Sequence, residues 1–138
     1  MYGKHGLTSP SGRYTAFDRP LMWTQARSYC SSLGMNLATI ANSLDNEEVA
    51  KLTTRTCGHV MSRIAGWDLC AWIGLNDFKT EGTLVWSSGS TSQYRNFVKG
   101  EPNNMGDEDG MALCWTFQGR WIDYQNEGSL PCFVCQKK

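Results

Sequence analysis

Six cysteines in 138 residues constrain this chain more than any other feature. An even count in a small chain points to a disulfide framework and an oxidising compartment, while leaving the pairing open. Such staples let irregular segments persist that packing alone would not hold. They supplement a core here rather than replace it, because 41% of residues are hydrophobic and the length suits a single domain. The domain is expected over residues 14–138, preceded by a polar, Gly-rich, frayed segment at 1–13.

Thirteen basic residues balance thirteen acidic ones, for a formal net charge of +0. No long-range field draws such a chain to nucleic acid. No apolar run reaches the ~20 residues of a membrane helix. The opening Met1-Tyr2-Gly3-Lys4-His5-Gly6 has no apolar h-region and is not a secretory signal. The cysteines nevertheless point to an extracellular protein whose signal lies outside this sequence.

Trp23, Ala26, Cys30 and Leu33 fall three or four apart and predict a helix over 23–33, with Gly34 as its C-terminal cap. Ser43 is placed to cap a second helix running to about Thr53, with Asp45, Glu47 and Glu48 in its first turn. Arg13 to Phe17 reads as a short edge strand. Ala71–Leu75 and Leu84–Trp86 read as buried strands. Met111–Phe117 and Arg120–Asp123 read as two strands joined at Gln118-Gly119, and Cys132–Cys135 as the last. Helices first and strands afterwards is an α+β order. Gly89 to Gly110 has little periodicity, which in a compact domain marks a functional loop.

That loop contains Glu101-Pro102-Asn103-Asn104-Met105-Gly106-Asp107-Glu108-Asp109, with four carboxylates and two amides. All six side chains offer oxygen, the ligand of hard cations such as Ca²⁺. A solvated acidic loop is the bland alternative. Zinc would require His or Cys, and His5 and His59 are distant in sequence. EF-hand spacing is absent.

Together these segments resemble the C-type lectin domain. The run Trp72-Ile73-Gly74-Leu75 resembles that family's core motif. Glu101-Pro102-Asn103 matches its mannose-type tripeptide, and Trp121-Ile122-Asp123 resembles its Trp-Asn-Asp motif. Cys30 in a first helix and Cys135 near the end match its cysteine frame, and the likeness runs from about Tyr14 to Gln136. The implied fold has two helices packed on small antiparallel sheets, with a long calcium-binding loop stapled by disulfides.

The resemblance implies one or two calcium ions. Glu101, Asn103, Glu108 and Asp123 match the ion bound with the sugar, and Asp77, Glu81, Asn104 and Asp109 a structural ion, with Glu108 shared. The implied sugar contacts are Glu101, Asn103, Glu108 and Asp123, with Tyr124 stacking beside them. Glu-Pro-Asn goes with vicinal equatorial hydroxyls, as in mannose, N-acetylglucosamine, glucose and fucose. The galactose-type Gln-Pro-Asp is absent. Calcium should be harder to hold as pH falls through the acidic range.

Two departures stand out. Ile122 replaces the family's Asn, which gives one oxygen to calcium and one N–H to the sugar. Gly110 stands where a cysteine often follows the acidic residues. The frame therefore suggests Cys30–Cys135 and a shifted Cys114–Cys132, leaving Cys57–Cys70.

Other readings are weaker. Cys132-Phe133-Val134-Cys135 is a lone CxxC without redox or zinc context. Cys57-Gly58-His59 fits a disulfide cysteine beside a surface histidine better than a nucleophile with its base. Trp72, Trp86 and Trp121 are assigned to the core, and Trp115 and Tyr124 to stacking near the site. The leading function is calcium-dependent glycan binding. The alternative is the same fold binding a protein or a surface such as ice or mineral, with calcium only structural. A two-carboxylate glycosidase is the third class; calcium explains the same acids with fewer assumptions, so no enzyme is expected. One shallow sugar site binds weakly, so binding usually needs several copies, but no collagen repeat or coiled-coil heptad is present to assemble them and a homo-oligomer is left open.

Overall fold

The two helices lie on opposite faces of one mixed sheet. The computed structural model describes residues 6–59, 69–101, 109–125 and 128–138. In chain order the elements are β1 (Gly6–Thr8), β2 (Tyr14–Phe17), α1 (Trp23–Ser32), β3 (Met35–Leu37), α2 (Ser43–Cys57), β4 (Cys70–Asn76) and β5 (Val85–Trp86). Then come β6 (Gly110–Cys114), a 3-10 turn (Trp115–Phe117), β7 (Arg120–Tyr124) and β8 (Cys132–Lys137). The sheet order is β1-β2-β8-β4-β6-β7, with β3 beside β8 and β5 beside β4. All pairings are antiparallel except β4 with β8, where Ala71 faces Cys132 and Trp72 faces Phe133.

The strict two-residue alternation of a strand sorts side chains between the faces. Ala71, Ile73 and Leu75 of β4, Met111 and Leu113 of β6, and Trp121 of β7 pack with Val49 and Leu52 of α2. Their neighbours Cys70, Trp72, Ala112, Cys114 and Ile122 pack with Trp23, Ala26 and Cys30 of α1. Trp72, Trp86 and Trp121 are all buried, as the sequence predicts.

This alternation decides the disulfides. Cys132 and Cys135 lie on opposite faces of β8 and belong to different core layers. Cys135 bonds Cys30 of α1, as expected. Cys132 bonds Cys57 at the end of α2, and Cys70 bonds Cys114, its direct cross-strand partner. The expected Cys114–Cys132 and Cys57–Cys70 pairs are therefore corrected: each would join side chains packed in opposite layers. The CxxC is thus no dithiol site, and Cys57 is no free nucleophile. His59 beside it is exposed and pairs with Asp18 at 3.0 Å.

Other departures are local. Helix α2 is capped by Asn42, whose Oδ1 accepts the Asp45 N–H at 2.8 Å, rather than by Ser43. It runs four residues past Thr53, because Thr56 and Cys57 are buried and Cys57 is bonded to β8. Strand β2 is internal and not an edge: Gly6–Thr8 of the supposedly frayed segment pairs along it. Strand β3, three residues long, is too short to show periodicity. The expected strand Met111–Phe117 ends at Cys114, and its last residues wind into the 3-10 turn.

Candidate functional site

The acidic residues gather where β4 ends and β6 begins. Strand β4 stops at Asn76, whose Nδ2 donates back to the Gly74 carbonyl at 3.0 Å. The next residue, Asp77, donates its backbone N–H to the Asp109 carbonyl at 3.0 Å, tying the two strand ends together. The chain then curls. The Gly82 N–H donates to Asp77 Oδ2 at 2.9 Å, and Gly82 has φ +85°, a conformation costly for other residues. The curl returns Glu81 to Asp77. Phe78 anchors the base, its ring 4.9 Å from that of Trp23.

Carboxylate oxygens of Asp77, Glu81 and Asp109 all lie within 4.8 Å of one another. Asp77 is 2% exposed, Asp109 half-buried and Glu81 exposed, so the cluster opens to solvent on the Glu81 side. The Glu81 carboxyl is pushed up to about 7. The leading cause is Asp77, to which a protonated Glu81 can hydrogen-bond; lost solvation, Asp109 as a second acceptor and the like charges of both add to it. With all three ionised, Asp77 Oδ1 is buried and receives no hydrogen bond from the described residues. A buried anionic oxygen without a donor is costly. An oxygen-only set of like charges with one such atom fits a hard cation.

The structure thus joins three of the four residues expected at the structural ion. Asn103, Asn104 and Glu108 lie outside the described residues. Glu101 is half-buried, its N–H donating to the Val98 carbonyl at 2.9 Å. Asp123 is 3% exposed on β7, opposite Met111. Among the described residues, neither belongs to the Asp77 cluster. Ile122 is 2% exposed in the α1-side core. The Tyr124 ring meets Trp72 edge-on at 5.9 Å, and a Cβ at Gly128 would come within 2.8 Å of it. Trp115, expected near the site, follows the far end of β6 from Asp109; five intervening strand residues separate them. Gly110 leaves no room for the family's usual cysteine, because a Cβ there would lie 2.7 Å from the Trp23 ring.

A family model described as the Lectin C-type domain matches residues 19–137. The chain belongs to the C-type lectin domain family. Trout (Oncorhynchus mykiss) ladderlectin is 34% identical over 83% of the chain. The C-type lectin BfL-2 of Bungarus fasciatus is 33% identical over 91% of it, and mouse C-type mannose receptor 2 is 30% identical over 100%. The chain spans 57% of ladderlectin, 76% of BfL-2 and 8% of the mannose receptor. Among solved structures, human lithostathine superposes with TM-score 0.77 at 24% identity, covering 99% of this chain and 90% of that one. A calcium-independent type II antifreeze protein superposes with TM-score 0.72 at 20% identity, covering 98% and 92%. These two establish the shared C-type lectin fold.

Proposed function

We propose that this domain binds carbohydrate in a calcium-dependent manner, favouring sugars with vicinal equatorial hydroxyls such as mannose, N-acetylglucosamine and fucose. The observation that carries the reading is the oxygen-only cluster of Asp77, Glu81 and Asp109, whose Asp109 follows the Glu101-Pro102-Asn103 motif in the sequence. In this reading Asp77, Glu81, Asn104 and Asp109 would hold a structural calcium, and Glu101, Asn103, Glu108 and Asp123 would hold the calcium bound with the sugar and contact the sugar itself. Calcium at that site would supply a Lewis-acidic centre for sugar hydroxyl oxygens. Glu101 and Glu108 accept the hydroxyl protons, and Asn103 donates its amide N–H to a sugar oxygen. Such charge-assisted bonds are about twice as strong as neutral ones and fix which hydroxyl pair fits. Tyr124 is assigned only a flanking role, since much of its ring is engaged by Trp72.

Support comes from relatives named for mannose, including C-type mannose receptor 2 and a mannose-binding isoform from Notechis scutatus scutatus. The cow CD23 recognition domain, 25% identical, was crystallised in the presence of GlcNAc2Man3 oligosaccharide. Three disulfides suit an extracellular setting. Useful avidity would come from several copies on a multivalent glycan.

One observation favours a second reading, in which the domain binds a protein or a surface such as ice or mineral and calcium is only structural. Ile122 is buried where the family's sugar-binding Asn would stand. A glycan array probed with multivalent protein separates the two. In millimolar Ca²⁺, mannose-, N-acetylglucosamine- or fucose-terminated glycans should retain the probe, and EDTA should release it. A blank array, with calcium still raising the melting temperature, overturns the sugar reading and leaves the second.

A further inference from the structure

A cleft of about 1030 Å³ lies at the other end of β6, between α2 and the turn that leads into β7. Its floor is Gly119, which packs against the helix: a Cβ there would come within 3.0 Å of Ala50 Cβ and 3.1 Å of Asn46 Nδ2. Two amides converge on the Gly119 carbonyl. Asn46 Nδ2 donates to it at 3.1 Å and Asn96 Nδ2 at 3.2 Å, while Asn46 Oδ1 accepts the Trp121 indole N–H at 2.7 Å. The floor is therefore organised before any ligand arrives.

The walls are Tyr94 and Trp115, both half-buried. Each packs on the α2-side core and leaves part of its ring in the cleft. At the rim sit Gln118, Glu47 and Lys51. Glu47 and Lys51 form an exposed pair at 3.0 Å, so the rim carries no net charge from them and both stay open to exchange partners. Gln118 is the unexpected member. It has φ 61° and is the only non-glycine with positive φ among the described residues. Glycine or asparagine would fill a tight hairpin turn at lower cost. Local strain of this kind is a signature of functional positions.

Aromatic faces flanked by amides match a ring that is apolar on one side and hydroxylated at its edge. Neutral overall charge argues against an ionic ligand, and the solvent-open polar rim against an acyl chain. We propose that this cleft is a second, cation-independent saccharide subsite, with Trp115 and Tyr94 contacting the apolar face of a pyranose and Asn96 and Gln118 binding its hydroxyls. It shares no residue with the acidic end and stands or falls separately.

The test is a ¹H–¹⁵N NMR titration of the whole domain in EDTA, with chitotriose and with maltotriose. The Trp115 indole and the Gln118 side-chain amide signals should shift saturably with at least one of them, with millimolar affinity. Trp115→Ala should weaken that affinity about tenfold or more. Because Trp115 also packs on the core, Gln118→Gly is the second variant: it should weaken binding while raising the melting temperature, since it removes the left-handed cost. Three results overturn the proposal. They are no saturable shift in the cleft with either trisaccharide, shifts that grow with protein concentration in the absence of sugar, or unchanged affinity in Gln118→Gly. Because calcium is absent throughout, the result does not depend on the glycan reading of the acidic loop.

Discussion

Calcium binding at the acidic cluster should weaken in the neutral range, well before ordinary carboxylates protonate. In the metal-free protein the Glu81 carboxyl sits at about 7, against an ordinary value of 4.5, because Asp77 and Asp109 face it. The ion must displace that proton. Each pH unit below about 7 should therefore lower the apparent affinity about tenfold, and at pH 7 roughly half a proton should leave per ion bound. The expected weakening thus begins near neutrality and not only in the acidic range. The stability effect has a definite sign. Between about 4.5 and 7 the folded metal-free chain binds more protons at Glu81 than the unfolded chain does. Its stability therefore falls as pH rises through that window, and calcium should offset the loss. Isothermal titration calorimetry at pH 8, 7 and 6, in buffers of different ionisation enthalpy, measures affinity and proton release together. Glu81→Gln should bind more weakly at pH 8 and lose the pH dependence above 6. Equal affinity of the wild-type protein at pH 8 and 6, or an unchanged slope in Glu81→Gln, would refute the reasoning.

Two further outcomes test the framework. Removing Cys57–Cys132 as a double alanine variant should leave no free thiol. With Cys30–Cys135 intact, the shortest covalent loop it closes is about 30 residues, so the loss should be about 3–4 kcal/mol, or roughly 10 °C in melting temperature. The variant lacking Cys57 and Cys70 should instead show two free thiols by Ellman assay, because Cys114 and Cys132 lie in opposite core layers; none would contradict the pairing. Ile122→Asn, which restores the family's usual residue, should cost about 3 kcal/mol or more by burying an amide in the α1-side core, with no gain in calcium affinity. Differential scanning fluorimetry with calcium titration checks this, and tighter calcium binding at unchanged melting temperature would count against it.

What was legible in the sequence follows from range. The stripe Trp23, Ala26, Cys30 and the run Trp72-Ile73-Gly74-Leu75 are local patterns, and both elements lie where they predict. The structure brings the carboxylates of Asp77, Glu81 and Asp109 together, residues far apart in sequence that local pattern alone does not group and the family motifs do. Of the disulfides, Cys30–Cys135 is as expected and the other two are not. Choosing among Cys57, Cys70, Cys114 and Cys132 requires the face each side chain occupies, which strand register sets and spacing does not. Trp115 was misplaced for a related reason. It lies six residues after Asp109, but the five residues of β6 between them carry the chain to the other end of that strand. The Gln118 cleft left no local signal, since its walls come from α2, the 94–96 segment and the turn after β6.

The β4–β6 ladder gives the proposed calcium at the acids a structural role to fill. One end is closed covalently by Cys70–Cys114. The other end has no cysteine, since none occurs between those two positions. There the Asn76–Gly110 ladder pair is followed by a backbone hydrogen bond from Asp77 to Asp109. Across that same junction stand three carboxylates, and the Glu81 carboxyl is pushed up to about 7, first by its hydrogen bond to Asp77 and then by lost solvation, with like charge adding to it. The loop end of the ladder thus has no covalent closure among its own strands. A divalent ion bound as proposed would turn these three carboxylates into a closing contact. It would act at the loop end as the disulfide acts at the base, with the difference that pH and calcium concentration can undo it.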